Sequence, residues 1–332
     1  MVREYIYERW AVRYHHYTFS IHTPSNSISL LITIMSMLAF VKKFVTSQLF
    51  TSIPTPTSDF SQQTVIVTGS NTGLGLEAAR HLTRLGASKV ILAVRTLSKG
   101  ETAAAEIVRS CNVPEDRVEV WKLDVSDHDS IKAFVKRAEG LDRLDAAVLN
   151  AGILTHEVKY IDGVESHIAV NVVGAMLLAT LLLPKMRQSA RLTGQRGRLT
   201  INGSDMRYIA NLAELETDGS ILKKLNNATK TEMSSRYALS KLLVLYNLRE
   251  LARRSPITDD SDVLLTVLTP GLCRSELMRD DAGAVGNFIV GLFMAGFART
   301  TVQGGGILVH GVSPELPIKA HGRFLMDCQI VP

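Results

Sequence analysis

Residues 64–77, Thr64-Val65-Ile66-Val67-Thr68-Gly69-Ser70-Asn71-Thr72-Gly73-Leu74-Gly75-Leu76-Glu77, constrain the fold more than any other stretch. The continuous apolar run Val65–Val67 reads as a strand buried on both faces. It stops at Thr68-Gly69. A helix then begins inside the glycine cluster and runs through Leu76, Ala78, Ala79, Leu82 and Leu85 to a stop at Gly86. Strand, glycine turn and helix together form a phosphate-binding unit. The glycines let the backbone turn tightly and approach a pyrophosphate more closely than a Cβ would allow. The helix N-terminus aims unpaired N–H groups and a partial positive charge at the phosphates.

The pattern that follows is an alternation. Buried strands are expected at 89–94, 118–123, 144–149, 198–201 and 263–268, with a last one near 323–327, making seven with the first. Helices are expected over 98–109, 127–138 (Asp127 as N-cap), 164–186, 234–253 and 301–312. Such alternation predicts a doubly wound α/β fold, a mainly parallel seven-stranded sheet with helices on both faces. Ligands of these sheets bind beyond the carboxyl ends of the strands. Gly69, Arg95, Asp124, Asn150, Ser204 and Pro270 all fall there.

Two polar patterns sit on this frame. Tyr237 and Lys241 are four apart in Tyr237-Ala238-Leu239-Ser240-Lys241, one turn apart on one helix face. Free tyrosine, with a pKa of about 10, is a poor acid–base group at neutral pH, and an ammonium one turn away is expected to lower it. At the end of the second strand stands Arg95, with Lys99 nearby. An acidic residue there would bind a ribose 2′-hydroxyl and repel a 2′-phosphate; a guanidinium matches the phosphate. The expectation is NADP(H) rather than NAD(H). The bland alternatives are a chance Tyr–Lys pair and a surface Arg at a strand end.

Gly69, Gly73 and Gly75 are spaced G-x3-G-x-G, preceded by Thr68 and followed by Leu76-Glu77. With Tyr237 and Lys241 in the correct order, the chain resembles the short-chain dehydrogenase/reductase family over about residues 60–330. The likeness is to its single-domain branch, and within it to retinol-dehydrogenase-like and fungal biosynthetic members. That resemblance implies a Rossmann fold and a nicotinamide cofactor. It implies that the turn Gly69, Asn71, Thr72, Gly73, Leu74 and Gly75 holds the pyrophosphate, that Asp124 meets adenine, and that Asn150-Ala151-Gly152 passes close to a cofactor ribose. Lys241 would also donate to the nicotinamide ribose. Pro270-Gly271 with Ser275 resembles the segment that contacts the nicotinamide carboxamide, where Thr is commoner than Ser. Ser204, from Gly203-Ser204 where the family often has Ser-Ser, would polarise a substrate carbonyl beside Tyr237. Asn171, in Val170-Asn171-Val172, matches an Asn that bends its helix and anchors a proton relay to the lysine. Ser204 and Tyr237 are 33 apart (237 − 204), which places an extra loop beside the pocket.

The implied activity is hydride transfer between NADP(H) and a carbonyl or secondary alcohol, with no metal. Two other readings stay open. A nucleotide sensor on the same fold would usually lack the Tyr or the Lys. An extended-branch epimerase would need a different glycine spacing and a larger C-terminal domain. Apolar residues in the loops 205–232 and 272–298 (Ile209, Leu212, Phe288, Ile289, Leu292, Phe293, Met294) favour a lipophilic small molecule, and the fungal likeness a tailoring step in secondary metabolism.

The formal charge of +5 is dispersed, with no Lys/Arg block, so nucleic acid is not an expected partner. Cys111, Cys273 and Cys328 form no C-x-x-C pair, so neither zinc nor a disulfide framework is indicated, and a reducing, cytoplasmic setting is expected. Residues 1–50 read as an extension outside a single catalytic domain, 51–332, with a stiff connector at Ile53–Thr57. The apolar run Ile28–Val41 is 14 residues (41 − 28 + 1), short of the roughly 20 that a span needs. A peripheral helix over 37–50, on the domain or on a membrane, competes with a true start at Met35 or Met37. Membrane contact through 28–50 and a homodimer stay open.

Overall fold

The computed structural model describes residues 38–215, 220–226, 230–257, 262–274 and 296–331. The first strand, β1 (Thr64–Thr68), feeds the glycine turn and α1 (Gly73–Arg84). Then follow β2 (Lys89–Val94), α2 (Leu97–Cys111), β3 (Val118–Lys122), α3 (His128–Glu139) and β4 (Ala146–Leu149). A small hairpin, β5 (Tyr160–Ile161) and β6 (Val164–Glu165), precedes α4 (Ala175–Thr193), β7 (Gly197–Asn202), α5 (Ile221–Leu225), α6 (Lys230–Arg254) and β8 (Val263–Thr269). The chain finishes with α7 (Thr301–His310), β9 (Arg323–Met326) and β10 (Gln329–Val331).

The main sheet runs β10-β9-β8-β7-β4-β1-β2-β3. Every neighbouring pair is parallel except β9–β10. Successive side chains point to opposite faces of a strand, and the two cores follow that rule. Ile66, Ile91, Ala147, Leu199 and Leu265 pack with Phe134 of α3, Leu178 and Leu182 of α4 and Leu239 of α6. Val65, Val67, Leu92, Val148 and Leu264 pack on the other side with Leu82 of α1, Ile107 of α2 and Leu308 of α7. Burial on both faces is why these strands read as unbroken apolar runs. Ile168–Thr193 is the one described helix long and apolar enough to cross a membrane, and 67% of its apolar window is buried inside the fold.

Two expectations need correction. The sheet has eight strands rather than seven, because β10 folds back on β9 through Asp327 (φ +52°) and Cys328 (φ +60°). Two positive φ values at the centre make the tight turn that suits a hairpin's twist, but without the usual Asn-Gly signal. The helix expected over 164–186 begins later. Asp162 (φ +49°) and Gly163 (φ +76°) make the β5–β6 turn, and residues Ile168–Gly174 form a π-helix before α4 runs on to Thr193. The loop expected after Ser204 is present and holds two short 3-10 turns, Asp205–Ile209 and Leu212–Leu215, and then α5. Most of the 272–298 loop, Ser275 included, lies outside the described residues.

Residues 38–50 are helical and lie on the domain. Ser47 is buried, its hydroxyl donating to Asp327 Oδ1 at 2.8 Å.

Candidate active site

At the β1–α1 turn, Gly69 (φ +63°) and Gly73 (φ +59°) take left-handed conformations. A Cβ on Gly75 would lie 2.3 Å from the Gly69 carbonyl oxygen and 2.7 Å from Asn150 Nδ2, so α1 can start on this turn only with glycine there. A Cβ on Gly73 would meet nothing within 4 Å. The first residue of α1 therefore faces open space, and its N-cap, Thr72, makes no side-chain hydrogen bond to the helix. These features fit a pyrophosphate: unused helix N–H groups and a backbone with room before it. Leu74 instead packs inward: a Cβ on Gly304 of α7 would meet its Cδ2 at 2.4 Å. What Leu74 can offer a phosphate is its backbone.

Asn150 ties the end of β4 to this turn, its Nδ2 donating to the carbonyls of Thr68 (3.1 Å) and Gly69 (3.2 Å). Arg95 at the end of β2 and Lys99 in the first turn of α2 are exposed. Lys122 adds a third cation here, donating to the Arg95 carbonyl. Asp124 Oδ1 accepts from the backbone N–H (3.0 Å) and hydroxyl (2.6 Å) of Ser126, a local turn that fixes the carboxylate at the exit of β3.

Beyond β7, Ser204 caps the 3-10 turn Asp205–Ile209, accepting from Met206 N at 3.1 Å. Its hydroxyl donates to Asp205 Oδ1 at 3.4 Å and lies near enough to the Tyr237 phenol to favour the phenolate. Tyr237 and Lys241 lie one turn apart on α6, and Lys241 Nζ donates to the Asn202 carbonyl at 2.7 Å. Asn171 sits in the π-helix. Its Oδ1 accepts from Ile153 N (2.8 Å), and its Nδ2 donates to Ile153 O (2.9 Å) and Ser240 Oγ (3.1 Å). Ser240 in turn donates to the Tyr237 carbonyl at 2.7 Å. Asn171, Ser204, Tyr237 and Lys241 are thus brought together by three segments, the π-helix, the turn after β7 and α6.

Burial decides the charges. It lowers Lys241 to about 8, within reach of neutral pH. It pushes the Tyr237 phenol up; the neighbouring Ser204 hydroxyl opposes this and the nearby Asp205 carboxylate adds to it. This is the reverse of the shift expected from the four-residue spacing. Lys241 Nζ is 5.6 Å from the Tyr237 ring centroid, and the hydrogen bond it makes is to Asn202. Asp205 is itself raised, by burial above all.

Comparison with known proteins accords with this arrangement. A family model for short chain dehydrogenases matches residues 63–204. The chain is 40% identical over 291 residues to the short chain dehydrogenase/reductase dmxR8 of Cryptosporiopsis sp., covering 86% of this chain and 88% of that one. It is 41% identical over 297 residues to the short chain dehydrogenase FGM9 of Gibberella zeae, covering 88% and 84%. This chain belongs to the short-chain dehydrogenase/reductase family. Among solved structures, a 3-oxoacyl (acyl-carrier-protein) reductase from Agrobacterium tumefaciens with NADP bound shares the fold, with a TM-score of 0.59 at 20% identity over 80% of this chain and 93% of that one. A short-chain dehydrogenase from Sphingobium yanoikuyae in complex with NADPH aligns with a TM-score of 0.53 at 18% identity, covering 75% and 84%.

The candidate site also holds residues that the motifs do not reveal. Asn202 bridges the two halves: its carbonyl holds Lys241, its Nδ2 donates to Asn150 Oδ1 at 3.0 Å, and its Oδ1 is buried with no hydrogen-bond partner among the described residues. His167 lies edge-on to the Tyr237 ring, centroids 6.3 Å apart. Its Nε2 accepts from Thr155 N at 3.2 Å, so the proton is on Nδ1, which donates to Glu165 at 2.9 Å. Both side chains are fully buried. The signal in the sequence was Glu165-Ser166-His167, three polar residues leading into an apolar helix.

Proposed function

We propose that this dehydrogenase transfers a hydride between NADP(H) and a carbonyl or secondary alcohol carbon of a lipophilic small molecule, as a tailoring step in secondary metabolism. The observation that carries the proposal is the convergence of Ser204 with Tyr237, with Lys241 one turn along the same helix and Asn171 linked to the Tyr237 backbone through Ser240. The cofactor supplies the hydride when bound. Gly69, Asn71, Thr72, Gly73, Leu74 and Gly75 would hold its pyrophosphate through backbone N–H groups, and Arg95 and Lys99 its 2′-phosphate. Asp124 would take the adenine, Asn150 and Lys241 the nicotinamide-side ribose, and Pro270 with Ser275 the carboxamide.

In this reading Tyr237 gives its proton to the carbonyl oxygen during reduction and takes it back during oxidation. Ser204 donates a hydrogen bond to the same oxygen and polarises the carbon. Lys241 lowers the cost of the phenolate, and Asn171 keeps the helix turn open beside it. The exposed apolar surface of Met206, Tyr208 and Leu212 after Ser204 supports an apolar substrate. A cytoplasmic protein is proposed, with membrane contact through the exposed Leu38, Val41, Leu49 and Phe50 and a homodimer as its assembly. The test is consumption of NADPH and NADH over a panel of apolar ketones and quinones, and their formation from NADP+ and NAD+ over a panel of apolar alcohols. Turnover with NADPH on one or more carbonyls is the expected result. No turnover in either direction with either cofactor would return the chain to the nucleotide-sensing alternative.

A further inference from the structure

We propose that the N-terminal helix, residues 38–50, is a wall of the active site, and that Arg299 is the positioning residue that holds it against Pro270. Arg299 is buried, 5% exposed. A guanidinium out of water is costly unless its donors are used, and its planar fork fixes the relative geometry of whatever it bonds. Nη1 donates to the Pro270 carbonyl at 3.0 Å. Nη2 donates to the Ser47 carbonyl at 2.8 Å, the Ser47 hydroxyl at 3.2 Å and Asp327 Oδ1 at 2.6 Å. One side chain therefore joins the N-terminal helix, the turn of the β9–β10 hairpin and the segment leaving β8. The Arg299 backbone adds two bonds to that last segment, donating to Leu272 O and accepting from Arg274 N, both at 2.9 Å.

The helix reaches the site at two further points. Gln48 Nε2 donates to Leu272 O at 3.4 Å. A Cβ on Gly271 (φ +73°) would lie 2.7 Å from Arg299 Nη1 and 2.9 Å from Gln48 Nε2, so this backbone is clasped from two sides. Lys43 Nζ donates to the Tyr208 hydroxyl at 2.7 Å, in the turn that starts at Ser204, and lies 4.4 Å from the ring centroid. Arg207 stacks on the Tyr208 ring and on Phe324, each at 4.0 Å. Phe44 stacks on Phe297 at 6.5 Å. The helix thus braces both segments that flank the catalytic side chains, the one after Ser204 and the one after β8. Moving it would move Pro270-Gly271.

The inference rests on the functional reading above, in which Pro270 faces the nicotinamide half of the cofactor. Its test separates that half from the rest. NADPH binding, by fluorescence titration, is compared with binding of the adenosine bisphosphate fragment, and hydrogen exchange is followed in 44–50, 205–209 and 270–274. Arg299→Met is expected to weaken NADPH about tenfold while the fragment stays within about twofold of wild type. Exchange in 44–50 and 270–274 should rise. Arg299→Lys, which keeps a charged donor, should recover part of both effects. Gln48→Ala should raise exchange in 270–274 alone, and it carries the test if Arg299→Met fails to fold. Equal weakening of NADPH and the fragment would make Arg299 a general scaffold residue and overturn the proposal. So would unchanged affinity with 270–274 as protected as in wild type. A wild type that binds no NADPH would sink the functional reading instead, and the exchange measurements would still decide whether the helix is coupled to Pro270.

Discussion

Tyr237→Phe keeps the ring and its edge contact with His167 but removes the phenol oxygen. General acid–base catalysis contributes about 10²–10⁴-fold, so turnover should fall by that order while NADPH affinity stays near wild type. Near-normal steady-state turnover would take Tyr237 out of the mechanism. Lys241 gives a second prediction, through pH. Burial lowers it from 10.5 to about 8, so its ammonium is lost as pH rises through that value. Carbonyl reduction should therefore decline on an alkaline limb near pH 8, and the limb should move up in Lys241→Arg, which stays cationic; a limb in the same place in both proteins would assign it to another group. The sign for stability is opposite. The unfolded chain holds this proton up to 10.5, so the group destabilises the fold below about 8, and that cost fades as pH rises between the two values. Arg95 is exposed, so Arg95→Asp should leave folding intact and turn the cofactor preference from NADPH towards NADH, read as the ratio of the two dissociation constants. An unchanged ratio would mean that the 2′-phosphate is read elsewhere, Lys99 and Lys122 being nearest in the fold. The glycines, Tyr237 and Lys241 were legible because their spacing is itself the signal. Asn202 and Ser240 were not, because their hydrogen bonds to Lys241, Asn150 and Asn171 are set by where the fold places them and not by a spacing along the chain.

The secondary structure was read best where burial writes it. Strands covered on both faces appear as apolar runs, and β1, β2, β4 and β8 were found on that basis. The misses share a different cause: a backbone turn decided the element. Asp162-Gly163 is a strong hairpin signal, yet the apolar run after it drew the helix back to Val164. The π-helix Ile168–Gly174 has no pattern of its own; it is held open by Asn171 bonding Ile153 and His167 bonding Thr155. Glu165 organises its start. Oε1 accepts from the His167 N–H at 2.8 Å and from His167 Nδ1 at 2.9 Å, and Oε2 from Ile168 N at 3.3 Å. Burial pushes the Glu165 carboxyl up, but these hydrogen bonds outweigh it and hold the group below its ordinary value. Its stabilisation is therefore full above the unfolded-chain value and is lost as pH falls through the lower folded value. Glu165→Gln should cost about 2 kcal/mol in urea unfolding at neutral pH, and the difference from wild type should shrink in acid. Equal midpoints at neutral pH would show that the bonds are replaced at no cost.

At the scale of the whole molecule, the sequence reading ended the domain at residue 51, and the contacts carry it further upstream. Phe40, Lys43, Phe44 and Ser47 follow the i, i+3, i+4, i+7 spacing of one helix face. Two of the four are polar, so a count of apolar residues passes over the face. Those two make the long-range bonds, Lys43 to Tyr208 and Ser47 to Asp327, while Leu38, Val41, Leu49 and Phe50 point outward. Further along, Ile53 packs against the core beside α7, Ser58 bonds Ser313 at 2.7 Å and Phe60 is fully buried, so the connector is anchored independently of the helix. Two truncations separate these layers. A chain beginning at Met37 keeps every contact just named and should match the full chain in melting temperature and NADPH affinity. A chain beginning at Ser52 keeps the connector but strips the Ser47 carbonyl and hydroxyl from Arg299 and leaves that cation buried with Pro270 and Asp327. Hydrogen bonds to a charged group are worth about 1.5–3 kcal/mol each, so the loss of two costs about 3 kcal/mol or more. For a domain of this size each kcal/mol is worth roughly 2–4 °C, so the second chain should melt roughly 6–12 °C below the first. Thermal unfolding of the two side by side decides the point: coincident curves would return the domain boundary to residue 51 and make the helix a passive attachment.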